Sequence, residues 1–298
     1  MELKGIVVPL ATPFTANYEL DEPGLKREVG FLLDKGIRGF LVNGSTGECL
    51  SLSTEERQRT VEIVSKECKR KAFVIAGVET PVTHHAILDA KRATESGADF
   101  VLVATPYYLK PTLDGIFQHY KKVAEAGVKV IIYNNPFRTN VVLSTQMVKS
   151  LSEIRNIVGM KQSHVDMSQT AEIIHLVGKK IAFFHSYGDA VSIFPGLLLG
   201  GVGAMSIIPL FAPEKTLELY RATMNRDLET AIRVYRDLLP LLLYVGSGVS
   251  GEPNPAPFKE ALRIIGRSVG PTRLPVTQVT SDTRKAITKV LKEADLTD

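Results

Sequence analysis

The sequence predicts an α/β protein, a (β/α)8 TIM barrel with extra C-terminal helices, and three observations carry this prediction. Short apolar runs alternate eight times with segments of helical spacing between residues 5 and 224, which is typical of a parallel sheet whose strands are joined by helices. The 298 residues are 44% hydrophobic, enough for one barrel of about 250 residues plus further helices. No predicted strand is followed by a G-x-G-x-x-G turn, so the alternative, an open doubly wound sheet, lacks its usual signature.

The boundaries of the elements follow from apolar spacing, capping residues and glycine stops. Ser53 and Glu56 form a capping box that opens a helix, and Gly36 and Gly97 each end one. The predicted strands are Gly5–Leu10, Ile37–Val42, Ala72–Gly77, Asp99–Ala104, Val128–Tyr133, a strand ending at Lys161, Ile181–His185 and Val202–Ile208. The predicted helices are Pro23–Lys35, Ser53–Lys69, Val82–Ser96, Leu113–Ala126, Thr145–Leu151, Ser168–Val177, Ala190–Leu199 and Pro213–Met224.

The last quarter of the chain does not continue the alternation. Residues 228–243, 258–265 and 284–294 have helical spacing, and a loop rich in glycine and proline, Gly246–Pro257, separates the first two. We therefore expect a barrel over residues 1–224 and a helical extension over residues 225–298 that packs on it. A separate C-terminal helical domain is the alternative.

Composition narrows the class of function. The net charge of +4 is spread along the chain, so neither nucleic acid nor an anionic membrane is an expected partner. The two cysteines, Cys49 and Cys68, make neither a disulfide framework nor a C-x-x-C metal site. Because no apolar run approaches about 20 residues and no signal-peptide pattern opens the chain, we expect a cytoplasmic protein that acts on a small molecule.

Polar side chains collect where the predicted strands end. The carboxyl ends of barrel strands share one rim, where active sites of this fold lie. The residues at these ends are Ser45, Thr46, Tyr107, Tyr108, Tyr133, Lys161, His185, Ser186 and Ser206. Their convergence would form one site.

The chemistry of these residue types points to a 2-keto acid substrate. A desolvated lysine such as Lys161 is a nucleophile toward a carbonyl and forms a Schiff base with it. A hydroxyl such as that of Tyr133 can move protons, and N–H groups of the Gly44–Gly47 loop can hold a carboxylate. Arg138 offers a bidentate fork to a second carboxylate.

Structural roles remain open for each of these residues from their pattern alone. Lys161 could reach solvent at the rim, the tyrosines could be packing aromatics, and Arg138 could be a surface cation. His164 and His185 are candidates for substrate contact, whereas Cys49 is interpreted as a packing residue.

Several segments in order resemble the dihydrodipicolinate synthase / N-acetylneuraminate lyase family, the Schiff-base class I aldolase barrels. The resemblance extends from Gly5 to the C-terminal helices. The matching segments are Gly44-Ser-Thr-Gly-Glu48, Thr105-Pro-Tyr-Tyr108, Tyr133-Asn-Asn-Pro-Phe-Arg-Thr139, Ile157-Val-Gly-Met-Lys161, Gly188-Asp189, Gly200-Gly-Val-Gly203 and Glu252-Pro-Asn-Pro255.

This resemblance implies a catalytic role for four residues. Lys161 would form the Schiff base with pyruvate or another 2-keto acid, and Tyr133 would give and take protons. Ser45 and Tyr108 would complete the proton relay, with Tyr108 reaching across from a neighbouring subunit.

The resemblance also implies binding residues and an assembly. Thr46 would hold the pyruvate carboxylate, the backbone near Met205 would line the same pocket, and Arg138 would meet the carboxylate of an aldehyde substrate. A homotetramer built as a dimer of dimers is implied, with no metal and no organic cofactor.

Three departures from the synthase pattern keep the substrate open. Ser45 stands where synthases carry threonine, Asn140 where they carry glycine, and Gln162 where they carry glutamate, followed by the unusual segment 163–166. A synthase condensing pyruvate with aspartate semialdehyde is the first expectation, because Arg138 and Tyr108 are retained. An aldolase or dehydratase of a 2-keto-3-deoxy sugar acid, or a lyase of the N-acetylneuraminate type, is the alternative. A barrel that binds a small molecule without turnover is the alternative of another class.

Overall fold

Eight parallel strands pair in sequence order and close into a barrel, because the first strand pairs with both the second and the eighth. The computed structural model describes residues 1–164, 166–186, 192–246 and 255–297. The strands are β1 (Gly5–Pro9), β2 (Gly39–Val42), β3 (Phe73–Val78), β4 (Phe100–Ala104), β5 (Val130–Asn134), β6 (Ile157–Gln162), β7 (Ala182–His185) and β8 (Gly203–Met205). The predicted barrel is confirmed.

Helices connect the strands around the outside of this barrel and continue after it. In the described ranges they are α1 (Glu22–Asp34), α2 (Thr54–Cys68), α3 (Thr83–Glu95), α4 (Leu113–Glu125), α5 (Pro136–Thr139), α6 (Thr145–Ser152), α7 (Met167–Val177), α8 (Ile193–Leu198), α9 (Pro213–Met224), α10 (Leu228–Gly246), α11 (Ala256–Ile264) and α12 (Ser281–Glu293). None of the helices in these ranges is both long enough and apolar enough to span a membrane.

The capping box at the start of α2 is present as predicted. The Ser53 hydroxyl accepts from the Glu56 N–H at 3.2 Å, and the Glu56 carboxylate accepts from the Ser53 N–H at 2.9 Å. These two bonds satisfy N–H groups that the first turn of a helix leaves without partners.

Two differences from the predicted elements lie close to the ends of strands, where the site was expected. β8 ends at Met205 instead of Ile208, because Ser206 turns the chain: its hydroxyl accepts from the Ile208 N–H at 3.1 Å, and residues 208–210 form a short 3-10 helix. The predicted loop after β5 contains α5, a single turn that Pro136 opens, since proline suits the first position of a helix.

Some predictions fall outside the described residues. They are the segments Gly188-Asp189 and Glu252–Asn254, the residue Val165 and most of the loop Gly246–Pro257. The division of the chain at residues 224 and 225 stays a prediction.

Strand residues alternate between two apolar layers, and this alternation decides which side chains face the pocket. Val7, Leu41 and Phe184 belong to the apolar cluster inside the barrel. Phe40 and Phe183 belong to the apolar cluster between the strands and the helices. Successive side chains of a strand point to opposite faces. A residue at a strand end therefore reaches the pocket only if its parity is that of the inner layer.

A buried ion pair joins the C-terminal helices to the barrel. Lys259 of α11 places its Nζ 2.6 Å from Oε1 of Glu48, in the loop after β2, and the two side chains are 3% and 2% exposed. Lys259 also donates to the carbonyl oxygen of Pro271 at 2.8 Å and lies 4.3 Å from the ring centroid of Phe14. Burial lowers the pKa of Lys259 to about 8.

Candidate active site

Lys161 and Tyr133 lie side by side at the carboxyl end of the barrel. The strand register aligns Ala104, Tyr133, Lys161 and Phe184 in one row across β4 to β7. The Lys161 Nζ lies 4.4 Å from the centroid of the Tyr133 ring, and both residues are 6% exposed. Within the described residues Lys161 forms no ion pair with a carboxylate, so its amine faces the pocket without a neutralising partner.

The residue after the lysine is held on the other face of the sheet. Gln162 is fully buried; it accepts from the Asn134 amide at 2.7 Å and donates to the Gln169 amide oxygen at 3.2 Å. This chain of amides ties β5, β6 and α7 together behind Lys161. Gln162 therefore supports the lysine strand from outside the pocket.

The unusual segment after Gln162 has a structural role in its described part. Asp166 caps α7, since its carboxylate accepts from the N–H groups of Ser168 and Gln169 at 2.9 and 3.0 Å. The His164 Nδ1 lies 3.1 Å from the Gln169 side-chain oxygen. These contacts account for His164 as a packing partner of α7.

The hydroxyl of Tyr133 has one hydrogen bond to a described residue, in which it is the acceptor. The Asn135 amide donates to the Tyr133 oxygen at 2.7 Å. A donor aimed at this oxygen stabilises the negative charge that develops when the hydroxyl gives up its proton. The Tyr133 proton itself remains available to a substrate or a relay partner.

Ser45 and Thr46 lie in a 3-10 turn directly after β2. The turn spans Ser45–Gly47, and the N–H groups of Ser45 and Thr46 have no backbone acceptor in the described part of the chain. Gly77 of β3 permits this position of the loop, because a β-carbon there would lie 2.1 Å from the carbonyl oxygen of Asn43. The turn thus presents two N–H groups and the Thr46 hydroxyl at the rim.

Glu79 is a member of the site that the sequence analysis missed. It directly follows β3, and its carboxylate accepts from the Ser45 hydroxyl at 3.2 Å to each oxygen and from the Cys49 thiol at 3.2 Å. The Tyr107 hydroxyl donates to the Glu79 carbonyl oxygen at 2.9 Å. The sequence feature that could have identified Glu79 is the one that identified the other site residues, a polar residue shortly after a predicted strand.

The same cluster fixes the protonation of the Cys49 thiol. Burial, reinforced by the Glu79 carboxylate, raises the pKa of Cys49 well above its ordinary value. Burial raises the pKa of Tyr107 as well, with smaller contributions from Cys49 and Glu79. Both groups therefore remain hydrogen-bond donors at neutral pH, and Cys49 packs beside the site as interpreted.

Tyr108 stands apart from the other site residues within one chain. Its side chain is 91% exposed, and its backbone φ of 68° is in the left-handed region, which is uncommon for a bulky residue. No hydrogen bond joins it to Ser45 or Tyr133 in the described residues. A single chain does not bring Tyr108 to the pocket.

Arg138 and Met205 complete the predicted set. Arg138 is exposed on α5 and forms no ion pair with a described carboxylate. Asn140 ends that turn with φ 54° and ψ 21°, a left-handed conformation that asparagine tolerates nearly as glycine does. Met205 is fully buried in the inner layer, where it pairs with Val7 of β1.

The prediction that His185 contacts substrate is wrong. The inner layer contains Phe184, so His185 has the outward parity and is buried against α8. Gly196 of that helix lies so close to β7 that a β-carbon on Gly196 would be 2.7 Å from the Cβ of His185. Burial lowers the pKa of His185 to about 4.

Three or more metal-ligating side chains do not come together anywhere in the described ranges. The chemistry available at the rim is that of an amine, two kinds of hydroxyl, a carboxylate and a guanidinium.

Comparison with known proteins identifies the family. The family model of the dihydrodipicolinate synthetase family matches residues 2–294. The chain is 37% identical over 296 residues to the 4-hydroxy-tetrahydrodipicolinate synthase of Methanothrix thermoacetophila, which covers 99% of this chain and 98% of that protein. It is 35% identical over 294 residues to the synthase of the same name from Thermodesulfovibrio yellowstonii, covering 98% and 99% of the two chains.

Solved structures agree with these relatives. Dihydrodipicolinate synthase from Aquifex aeolicus superposes with a TM-score of 0.93 at 33% identity, over 99% of each chain. The chloride-inhibited enzyme from Acinetobacter baumannii, solved with pyruvate, gives 0.94 at 31% identity over 99% and 100%. The predicted fold and the predicted class, a lyase of the Schiff-base aldolase type, are confirmed: the chain belongs to the dihydrodipicolinate synthetase family.

Proposed function

We propose that this chain is a 4-hydroxy-tetrahydrodipicolinate synthase, which condenses pyruvate with aspartate semialdehyde through a Schiff base on Lys161. The observation that carries the proposal is the position of the Lys161 amine, which forms no ion pair with a described carboxylate and lies 4.4 Å from the Tyr133 ring centroid, in the inner layer at the carboxyl rim. A buried amine beside a proton-carrying hydroxyl is the arrangement that carbonyl addition needs.

The reaction begins with attack of the Lys161 amine on the keto carbon of pyruvate. Loss of water gives an iminium, and loss of a methyl proton gives an enamine whose carbon attacks the aldehyde. Tyr133 moves protons in these steps, and Asn135 supports its oxygen when it carries negative charge.

The carboxylates of the two substrates need separate partners. The N–H groups of Ser45 and Thr46, which have no backbone acceptor in the described ranges, and the Thr46 hydroxyl hold the pyruvate carboxylate. The exposed guanidinium of Arg138 receives the carboxylate of the semialdehyde in a bidentate contact. The backbone near Met205 lines the same pocket.

Arg138 also bears on the alternative substrate. An aldolase of a 2-keto-3-deoxy sugar acid would use the same Lys161 chemistry with a polyhydroxylated aldehyde. Because the guanidinium has no ion-pair partner among the described carboxylates, it favours an aldehyde that brings its own negative charge.

We infer further that the protein works as a homotetramer in the cytoplasm, with Tyr108 completing the site of a neighbouring subunit. Its exposed ring and the 64% exposed Leu109 next to it form an apolar surface that a second copy would cover. The free thiols of Cys49 and Cys68 are consistent with a reducing compartment.

Borohydride reduction in the presence of pyruvate tests the proposal directly. We expect a pyruvate-sized mass increase that peptide mapping locates on Lys161, and synthase activity with aspartate semialdehyde. Lys161→Ala should lose both the adduct and turnover, because no other described amine lies beside Tyr133.

The matched control is Lys149→Ala, which removes an exposed lysine of the outer helix α6. It should form the adduct and turn over like the wild type. A folded Lys161→Ala variant with wild-type turnover would refute the proposal, and an adduct without turnover of any aldehyde would favour a binding protein.

A further inference from the structure

We propose that Glu48 is a positioning residue for the carboxylate of the keto acid, because its ion pair with Lys259 fixes the turn whose N–H groups receive that carboxylate. The inference rests on the proposed Schiff-base function and gives the C-terminal helices a part in substrate binding. It starts from the place of Glu48, which directly follows the Ser45–Gly47 turn and ends it.

The turn depends on an unusual backbone conformation at Glu48. Its φ of 55° and ψ of 39° lie in the left-handed region, and its N–H donates to the carbonyl oxygen of Ser45 at 3.2 Å. Glutamate is uncommon in this region, because its β-carbon makes the conformation costly. Such a conformation persists only where the surrounding structure determines it, so the contacts of the Glu48 side chain bear on the shape of the turn.

Both carboxylate oxygens of Glu48 are held by the C-terminal part of the chain. Oε1 lies 2.6 Å from the Nζ of Lys259, and Oε2 accepts from the N–H of Arg273 at 2.9 Å. The Glu48 and Lys259 side chains are almost completely buried, so dissolved ions screen their attraction very little. The side chain therefore has one position, set by α11 and by the loop that follows it.

The two C-terminal partners are themselves fixed. Lys259 donates to the carbonyl oxygen of Pro271 at 2.8 Å. The Arg273 guanidinium donates to both carboxylate oxygens of Glu56, at 2.6 and 2.7 Å, in the bidentate geometry that gives such pairs their directional preference. Glu48 is thus anchored to groups that have partners of their own.

Thr12 holds the turn at the neighbouring residue. Its hydroxyl donates to the carbonyl oxygen of Gly47 at 2.6 Å. Because the Gly47 carbonyl and the Glu48 side chain are both fixed, the N–H groups of Ser45 and Thr46 keep one direction. Donors that already point at the position of a charge need no reorganisation when the charge arrives.

The ion pair should therefore matter for recognition of the carboxylate and not for the chemistry of the carbonyl group. The carboxylate contacts the turn after β2, whereas the keto carbon is attacked by the Lys161 amine of β6. A general structural defect would weaken both interactions, so comparing a charged with an uncharged ketone distinguishes positioning from loss of structure.

Borohydride trapping on Lys161 makes this comparison when pyruvate is used beside pyruvamide, its neutral amide. We expect Glu48→Gln to raise the pyruvate concentration for half-maximal trapping by about tenfold or more, the effect of losing a hydrogen bond to a charged group. The concentration of pyruvamide for half-maximal trapping should stay close to the wild-type value, because the amide brings no charge to the turn.

Glu28→Gln is the matched control. Glu28 pairs with Arg267, so this variant also removes a largely buried carboxylate that binds a cation of the C-terminal region, but Glu28 belongs to α1 and not to the turn. It should be trapped by both ketones at the wild-type concentrations. A rise for pyruvate equal to that in Glu48→Gln would contradict the specific role of Glu48.

The double variant Glu48→Met/Lys259→Met serves if Glu48→Gln does not fold, since replacing both partners leaves no buried charge. It should fold and still need more pyruvate, but not more pyruvamide, for half-maximal trapping. Wild-type trapping by pyruvate in either folded variant, or an equal rise for pyruvamide, would overturn the inference. Absence of any adduct on Lys161 in the wild type would instead refute the proposed function.

Discussion

Asn140 shows that a departure from a family pattern can be physically equivalent to the usual residue. It stands where the resembled synthases carry glycine, and its φ of 54° is the conformation that glycine adopts without a steric penalty. Asparagine is one of the few other residues that are enriched in this region. The departure therefore leaves the turn that carries Arg138 unchanged.

We predict that Asn140→Ala lowers the free energy of unfolding by about 1 kcal/mol, because alanine lacks the short polar side chain whose local hydrogen bonds let asparagine adopt the left-handed region. Asn140→Gly should be close to neutral. Urea denaturation of the two variants beside the wild type measures the difference, and equal stability of the alanine variant would contradict the assignment.

At this scale the sequence predicted Lys161 and Tyr133 correctly as neighbours, because a strand end fixes their height in the barrel. The sequence could not decide on which face of its strand His185 lies, because this strand is apolar on both faces and a shift of one residue exchanges the two faces. Glu79 was missed because the end of its strand was set at Gly77, one residue short of Val78.

At the scale of elements, the ion pair between Glu48 and Lys259 joins α11 to the loop that carries Ser45. Removing one partner of a buried pair leaves an uncompensated charge, at a cost of about 3–5 kcal/mol. We expect Glu48→Gln to be destabilised to this extent at pH 7, because it leaves the buried ammonium of Lys259 without its carboxylate.

The pH dependence of this effect follows from the pKa of Lys259, which is about 8 in the folded protein against an ordinary 10.5. Between these values the unfolded chain binds more protons, so this lysine makes the unfolding free energy rise with pH. Stability of the wild type relative to Lys259→Met should be constant below pH 8 and increase from pH 8 to 10.5, by about 1.4 kcal/mol per unit of pH at most.

Urea titrations of both proteins at pH 7, 9 and 10 measure this difference. A difference that does not change between pH 7 and pH 10 would show that burial does not shift the pKa of Lys259.

The element boundaries themselves were predicted to within a few residues, because the helix caps and glycine stops are local signals. The end of β8 comes three residues before its predicted place, because the turn at Ser206 depends on a hydroxyl that the apolar pattern does not register.

At the scale of the molecule, the barrel was predictable because eight alternations leave few other ways to bury the strands. The arrangement of subunits was not, since it depends on exposed surfaces such as the one around Tyr108.

We predict a tetramer in sedimentation equilibrium and complementation between inactive subunits. Tyr108→Phe should lower kcat without changing the sedimentation. Oligomers reassembled from Tyr108→Phe and Lys161→Ala chains should regain activity, because the second chain supplies an intact Tyr108 to the intact Lys161 of the first. Activity of the mixture equal to that of the separate variants would show that Tyr108 does not act across subunits.

The ion pair between the second strand loop and α11 also has a consequence for the order in which the protein is made. During synthesis Glu48 emerges from the ribosome early, and Lys259 emerges only after more than two hundred further residues. Until then the carboxylate lacks its cation, and the neighbouring turn with Ser45 and Thr46 lacks its support. The substrate pocket of a nascent chain is thus completed by one of the last helices to emerge, although none of the predicted catalytic residues lies there.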